Sequence, residues 1–172
     1  AEHQDVKAAG EWLRALPQVD PARIGIYGGS YGGFLTALAL GRDSNLFAAG
    51  VDLHGVHDFT SSGSGAGSAF ASAMAGASAF EPSDRAAALE IAWRSSPVSS
   101  VDTWRSPVLF IHGDDDRNVR FSSTVDLVQR LEAKGVEYEE LVIVDDTHHW
   151  MRWANSVRAD SATAAFLAKK LA

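Results

Sequence analysis

Apolar residues Val6, Ala9, Leu13 and Leu16 recur at helical spacing and Pro17 stops the pattern, so residues 5–16 are expected to form a helix. After the Asp20-Pro21 turn, residues 23–28 form a short β-branched and aromatic run, which predicts a strand. A second helical pattern follows at once through Phe34, Leu35, Leu38 and Leu40. The alternation continues with a strand at 48–53, a helix at 83–93 and a strand at 107–112. The last of these is almost wholly apolar, as expected of a strand buried on both faces. A helix at 122–134, closed by Gly135, leads to a strand at 138–144 and a final helix at 155–171. Strands alternating with helices predict an α/β fold with a mostly parallel sheet and helices on both faces. Only residues 61–79 depart from this rhythm. That tract of Gly, Ala and Ser reads as a loop or as a small-residue helix with Phe70 and Met74 on one face, and the loop is favoured because its first half is too rich in Gly and Ser to hold a helix unaided.

Composition narrows the function without naming it. The chain has 172 residues, 46% of them hydrophobic and 22% charged, which suits one globular domain. With 22 acidic and 15 basic residues, a net charge of -7 and no basic run, nucleic acid is not an expected partner. There is no cysteine, which excludes disulfides, thiolate metal sites and a cysteine nucleophile and leaves the compartment open. No apolar run is long enough for a membrane helix, and the first residues lack the basic start and apolar core of a secretion signal. Neither a membrane nor a cofactor is expected.

The chemistry lies at three strand ends. Gly28-Gly29-Ser30-Tyr31-Gly32-Gly33 matches G-x-S-x-G and falls between a predicted strand and a predicted helix, the context that motif requires. A nucleophile on so sharp a turn needs glycines beside it, and a Cβ at Gly28 or Gly32 is expected to collide with the neighbouring strand or helix. Ser30 would then be presented to solvent, with the Tyr31 N–H at the helix start facing a developing oxyanion. A serine nucleophile needs a base, and the base needs an orienting carboxylate. The strand at 107–112 ends in Gly113-Asp114-Asp115-Asp116-Arg117-Asn118-Val119. The strand at 138–144 ends in Asp145-Asp146-Thr147-His148-His149-Trp150. Both supply these groups at the carboxyl edge of the sheet, where ligands of open α/β folds bind.

Other readings of the same residues are weaker. Asp114, Asp116 and Asn118 match the start of a calcium loop, but Val119 stands where glycine is needed and Val125 where a bidentate Glu is needed. His148 and His149 are adjacent and diverge, so no metal site is expected. His54, His57 and His112 read as hydrogen-bonded structural residues, and the tryptophans as packing residues.

The set GGSYGG, HGDDDRNV and DDTHHW, in that order and at those separations, resembles the catalytic domain of the prolyl oligopeptidase family, over nearly the whole chain. The resemblance implies a serine peptidase of α/β-hydrolase fold acting on oligopeptides. It puts the nucleophile on Ser30 and the catalytic Asp, fifth residue of the segment beginning His112-Gly113, on Asp116. The catalytic His, two residues after the second acidic position of the closing loop, falls on His148. It further implies that Asn118 holds a substrate carbonyl, and that Tyr31, Val56 and Phe59 lie near the pocket for the residue preceding the cut bond.

Family members also carry an N-terminal β-propeller and the first strands of the hydrolase sheet, and neither is found in these residues. The resemblance therefore implies a C-terminal part of the catalytic domain, partnered by the missing N-terminal part in the same gene product or in an associated chain. That part would supply a second oxyanion donor, whose absence typically costs about 100-fold to 1000-fold in turnover. The 172 residues alone are expected to aggregate or stay inactive, because the nucleophile strand has an open edge. Competing functions are an esterase or thioesterase with the same triad, and a non-catalytic interaction domain that keeps the fold.

Overall fold

The computed structural model describes residues 2–60 and 85–172. The Gly, Ala and Ser tract and the first two residues of the helix expected at 83–93 lie outside them. Helix α1 (Glu2–Arg14) is followed by strand β1 (Gly25–Gly29), helix α2 (Tyr31–Arg42) and strand β2 (Ala49–Leu53). Then come helix α3 (Arg85–Ser95), a 3-10 helix (Pro97–Thr103), strand β3 (Val108–Gly113), helix α4 (Ser122–Ala133), strand β4 (Tyr138–Ile143) and helix α5 (Trp153–Lys170). The strands form one sheet in the order β1-β2-β3-β4, every neighbouring pair parallel. Parallel neighbours need a crossover, and the helical segments between them provide it.

Side chains of β3 alternate between two cores. Val108 and Phe110 join Leu40, Phe47, Trp104, Leu127 and Leu131 on one face. Leu109 and Ile111 join Val51, Ile143, Ala159 and Phe166 on the other. All six residues of β3 are buried, as its apolar run requires. Each fully buried Leu or Ile stabilises the fold by about 1.5–3 kcal/mol relative to an exposed one. Pattern reading missed the 3-10 helix, which is too short for periodicity to register. It brings Trp104 into the core, where the indole N–H donates to the Ser106 carbonyl at 2.8 Å.

Strand β1 differs from β3. Among the described residues it pairs with β2 alone, and Tyr27 on it and Trp12 on α1 are 66% and 63% exposed.

Candidate active site

The four parallel strands among the described residues end at the same edge of the sheet, and each delivers one side chain there. Ser30 follows β1, His54 follows β2, Asp116 stands in the turn after β3 and His148 in the loop after β4.

Ser30 has φ 57° and ψ -114°, a conformation that costs a non-glycine residue on the order of 1 kcal/mol or more. Two hydrogen bonds hold it there. Its N–H donates to the Leu53 carbonyl at 2.9 Å, and its carbonyl accepts from Phe34 N–H at 3.0 Å. The turn is tight because glycine backbones touch: a Cβ on Gly28 would lie 2.6 Å from the Gly32 carbonyl carbon and oxygen. The expectation for Gly32 was wrong. A Cβ there meets nothing within 4 Å among the described residues, whereas one on Gly33 would lie 2.5 Å from Asp52 Oδ1 and 2.8 Å from the Leu53 carbonyl. Gly33 is the crowded position because α2 crosses the end of β2 there. Gly28→Ala and Gly33→Ala are each expected to lower stability by about 3 kcal/mol or more, and Gly32→Ala to leave it nearly unchanged, as read by thermal unfolding.

Asp116 and His148 meet because β3 and β4 end very close together. Gly113 permits this, since a Cβ on it would run into the Asp146 carbonyl. Asp114 N–H donates to the Ile143 carbonyl and Asp115 N–H to the Asp146 carbonyl, tying the two loops. Of three consecutive carboxylates only Asp116 turns inward. Asp114 accepts from Asp145 N–H at 2.8 Å on the outside, and Asp115 is exposed beside Arg117.

Oδ1 of Asp116 accepts the amides of Asn118 and Val119 at 2.8 and 2.9 Å. Its Oδ2 lies 2.6 Å from His148 Nδ1 and 3.2 Å from His112 Nε2. Burial opposes its charge, but the hydrogen bonds from His112, His148 and the two amides outweigh burial and hold the carboxyl well below the usual carboxylate range. On the other side of the imidazole, His148 Nε2 is 2.9 Å from Ser30 Oγ. His149 is exposed and edge-on to His148.

Asp146 had no assigned role in the sequence reading. It is buried and organises the loop that carries His148, accepting from Thr147 N–H at 2.8 Å, Met151 N–H at 2.9 Å and Asn155 Nδ2 at 2.7 Å. Its spacing to Asn155 across the start of α5 was the only available signal.

Two of the three strand-end histidines fit their structural reading. His112 joins Thr124 Oγ1 and the Val119 carbonyl as well as Asp116. His57 joins Asp52 Oδ2 at 2.8 Å and the Ser123 carbonyl at 3.1 Å. With Ser123 Oγ at 3.4 Å from Nδ1, this is a second Ser, His and Asp grouping. It is not poised for catalysis, because His57 and Asp52 are fully buried and the nearer partner of Nδ1 is a backbone carbonyl. His54 contradicts its reading: among the described residues its buried Nδ1 has no hydrogen-bond partner.

His54, Asp116 and His148 offer ligand atoms within 4.8 Å of one another. The His54 and His148 rings are stacked at 25°, however, so their in-plane lone pairs run along nearly parallel planes and do not converge on one ion. Asp116 Oδ2 is already engaged by two imidazoles. The arrangement suits proton transfer and not metal binding.

Beside Ser30, Tyr31 and Phe59 pack on Phe34 with ring centroids 5.2 Å apart in each pair, and Val56 is buried in the same cluster. Asn118 is exposed at the rim. Tyr31 opens α2, so its amide lies at the positive end of the helix dipole next to the serine.

A serine on a strained strand-to-helix turn, above a parallel sheet covered on both faces, defines an α/β-hydrolase. Comparison with known proteins agrees. The model of the prolyl oligopeptidase family matches residues 1–172, and the chain belongs to that family. It is similar to an acylamino-acid-releasing enzyme of Arabidopsis thaliana, 32% identical over 138 residues, covering 75% of this chain and 17% of that protein. It is also similar to a probable dipeptidyl peptidase 4 of Aspergillus fumigatus, 31% identical over 154 residues, covering 88% of this chain and 19% of that protein. A solved puromycin-hydrolyzing peptidase of Mycobacterium tuberculosis superposes with a TM-score of 0.84 at 27% identity, covering 98% of this chain and 25% of that one. The chain thus spans a quarter or less of each of these proteins.

Proposed function

We propose that this chain is the C-terminal catalytic part of a serine peptidase that cleaves oligopeptides through a Ser30, His148 and Asp116 triad. The observation that carries the reading is the continuous hydrogen-bonded line from Ser30 Oγ to His148 to Asp116, with Asp116 anchored by two amides. Ser30 Oγ attacks the scissile carbonyl carbon while its proton passes to His148 Nε2. The tetrahedral oxyanion is met by the Tyr31 N–H. Collapse breaks the C–N bond, His148 gives its proton to the departing amine, and the acyl group stays on Ser30. Water then repeats the cycle, losing a proton to His148 and releasing the acid and free Ser30. Asp116 stays ionised and holds Nδ1 protonated, so that Nε2 is the nitrogen free to accept.

Asn118, at the rim, holds a substrate carbonyl, and the pocket for the residue before the cut is lined by Tyr31, Val56 and Phe59. The exposed face of β1 and α1, with Tyr27 and Trp12, packs against the N-terminal part of the whole enzyme, which supplies the second oxyanion donor.

His148→Ala in the whole enzyme is expected to lower kcat by about 10⁴-fold or more, whereas His149→Ala changes it little. The measurement is initial-rate hydrolysis of matched peptide and ester substrates. A dead His149→Ala beside an active His148→Ala would reverse the assignment, and turnover of esters alone would make the protein an esterase.

A further inference from the structure

We propose that His54 is a positioning residue for the catalytic base: its ring, clamped between Trp150 and His148, fixes the plane of the His148 imidazole and covers one of its faces. The inference rests on the triad proposed above. The His54 and His148 rings have centroids 4.2 Å apart at 25°, and His54 and Trp150 have centroids 5.0 Å apart at 12°, a three-ring stack.

The stack supplies what the hydrogen bonds leave undefined. Once the Ser30 proton has passed to His148 the bond to Ser30 Oγ is given up, and of the two hydrogen bonds on the ring only that from Nδ1 to Asp116 Oδ2 stays in place. The terminal torsion of a histidine is broad, and that one bond, made by the nitrogen next to Cγ, does not prevent Nε2 from swinging about the Cβ–Cγ axis. A ring stacked on one face does.

His54 is itself held rigidly. It has φ 44°, its N–H donates to the Ile111 carbonyl at 2.8 Å, and the next residue, Gly55, donates to Asp52 Oδ1 at 2.9 Å. Among the described residues its buried Nδ1 has no hydrogen-bond partner, so that nitrogen does not account for the ring, whereas its face is in contact with two other rings.

Titratable groups facing it are His148 and His149 from the loop after β4, His112 from β3 and Asp116 from the turn after β3. Burial first, then His148 and His112, push His54 down to about 3, with Asp116 opposing. His54 therefore presents an uncharged aromatic face to the imidazolium that His148 becomes during acyl transfer, an arrangement that favours the cation.

The test uses the whole enzyme, with rates normalised to the fraction labelled by a fluorophosphonate so that misfolded protein does not count. His54→Asn removes the ring and keeps a residue that tolerates positive φ; His54→Phe keeps the ring and removes the nitrogens. His54→Asn is expected to lower kcat by about 10-fold or more with KM unchanged, and to shift the acidic limb of the kcat/KM profile. His54→Phe is expected to restore both kcat and that limb. Trp150→Asn, which unsupports His54 from its outer side, is expected to shift the limb in the same direction with a smaller loss of kcat. An unaltered kcat and pH profile in His54→Asn overturns the proposal, as does a His54→Phe enzyme as impaired as His54→Asn, which would move the role to a ring nitrogen. A wild-type enzyme not labelled at Ser30 would instead overturn the triad on which the inference rests.

Discussion

Peptide hydrolysis by the whole enzyme is expected to fall about 10⁴-fold or more on Ser30→Ala, with labelling by a fluorophosphonate lost in parallel. The size of the effect follows from the geometry. Ser30 Oγ is the hydroxyl at 2.9 Å from His148 Nε2, and alanine leaves the base with no proton to take and the carbonyl with no attacking atom. Residual turnover would come from oxyanion stabilisation and substrate binding alone. Folding is expected to survive, because alanine at φ 57° carries the same backbone strain as serine and the two backbone hydrogen bonds of position 30 remain. Mass spectrometry of the labelled protein is the discriminating measurement. The decisive alternative is Ser123, which also lies beside a His and Asp pair. Labelling at Ser123, or at Ser61 or Ser64, would sink the assignment of Ser30.

Asp116→Asn is expected to cost about 10⁴-fold in kcat, while Asp114→Asn and Asp115→Asn stay close to the parent. The two oxygens of Asp116 have different duties. Oδ1 accepts two backbone amides, so the oxygen of an asparagine must take that place and its NH₂ must face His148 Nδ1. An NH₂ donating to Nδ1 forces the ring proton onto Nε2, the atom that must accept from Ser30. The imidazole would sit in the right position in the wrong tautomer. Asp114 and Asp115 are exposed and turned away from His148, and the amide oxygen of an asparagine at 114 still accepts from Asp145 N–H.

The same geometry assigns the pH dependence. Because the folded-state pKa of Asp116 is lowered, its contribution to stability is present above the ordinary carboxylate range and is lost only as pH falls through that lowered value. Protonation of Asp116 therefore does not set the acidic limb of activity. Steady-state kinetics and thermal unfolding of the three variants across pH test both statements. If Asp114→Asn proved the most damaging, the orientation of this loop would be wrong.

Much of the fold could be read from the chain because its signals are local. A strand buried on both faces has to be apolar at every position, and residues 107–112 are nearly so. A serine between glycines at a strand-to-helix junction marks a sharp turn, since a Cβ at Gly28 has no room beside the Gly32 backbone. The choice of Asp116 among three neighbouring carboxylates came from resemblance to a family. Nothing in three consecutive aspartates says which one turns inward. The ends of elements moved by a few residues, and the 3-10 helix went unseen, because caps and short turns depend on contacts and not on periodicity.

What the amino-acid order determined by itself is the alternation of strands and helices, the nucleophile turn and the placing of acid and imidazole at strand ends. Each depends on interactions within a few residues: apolar spacing, the small size of glycine and the reach of a turn. What only the tertiary structure decided is how four strand ends meet. Parallel register brings Gly113 against the Asp146 backbone and so draws Asp116 to His148. The crossing of α2 over β2 makes Gly33, and not Gly32, the position with no room. The stacking of His54 between His148 and Trp150 joins residues nearly a hundred positions apart, and no local pattern encodes it, because ring faces meet through the packing of β2 beside β3 and β4.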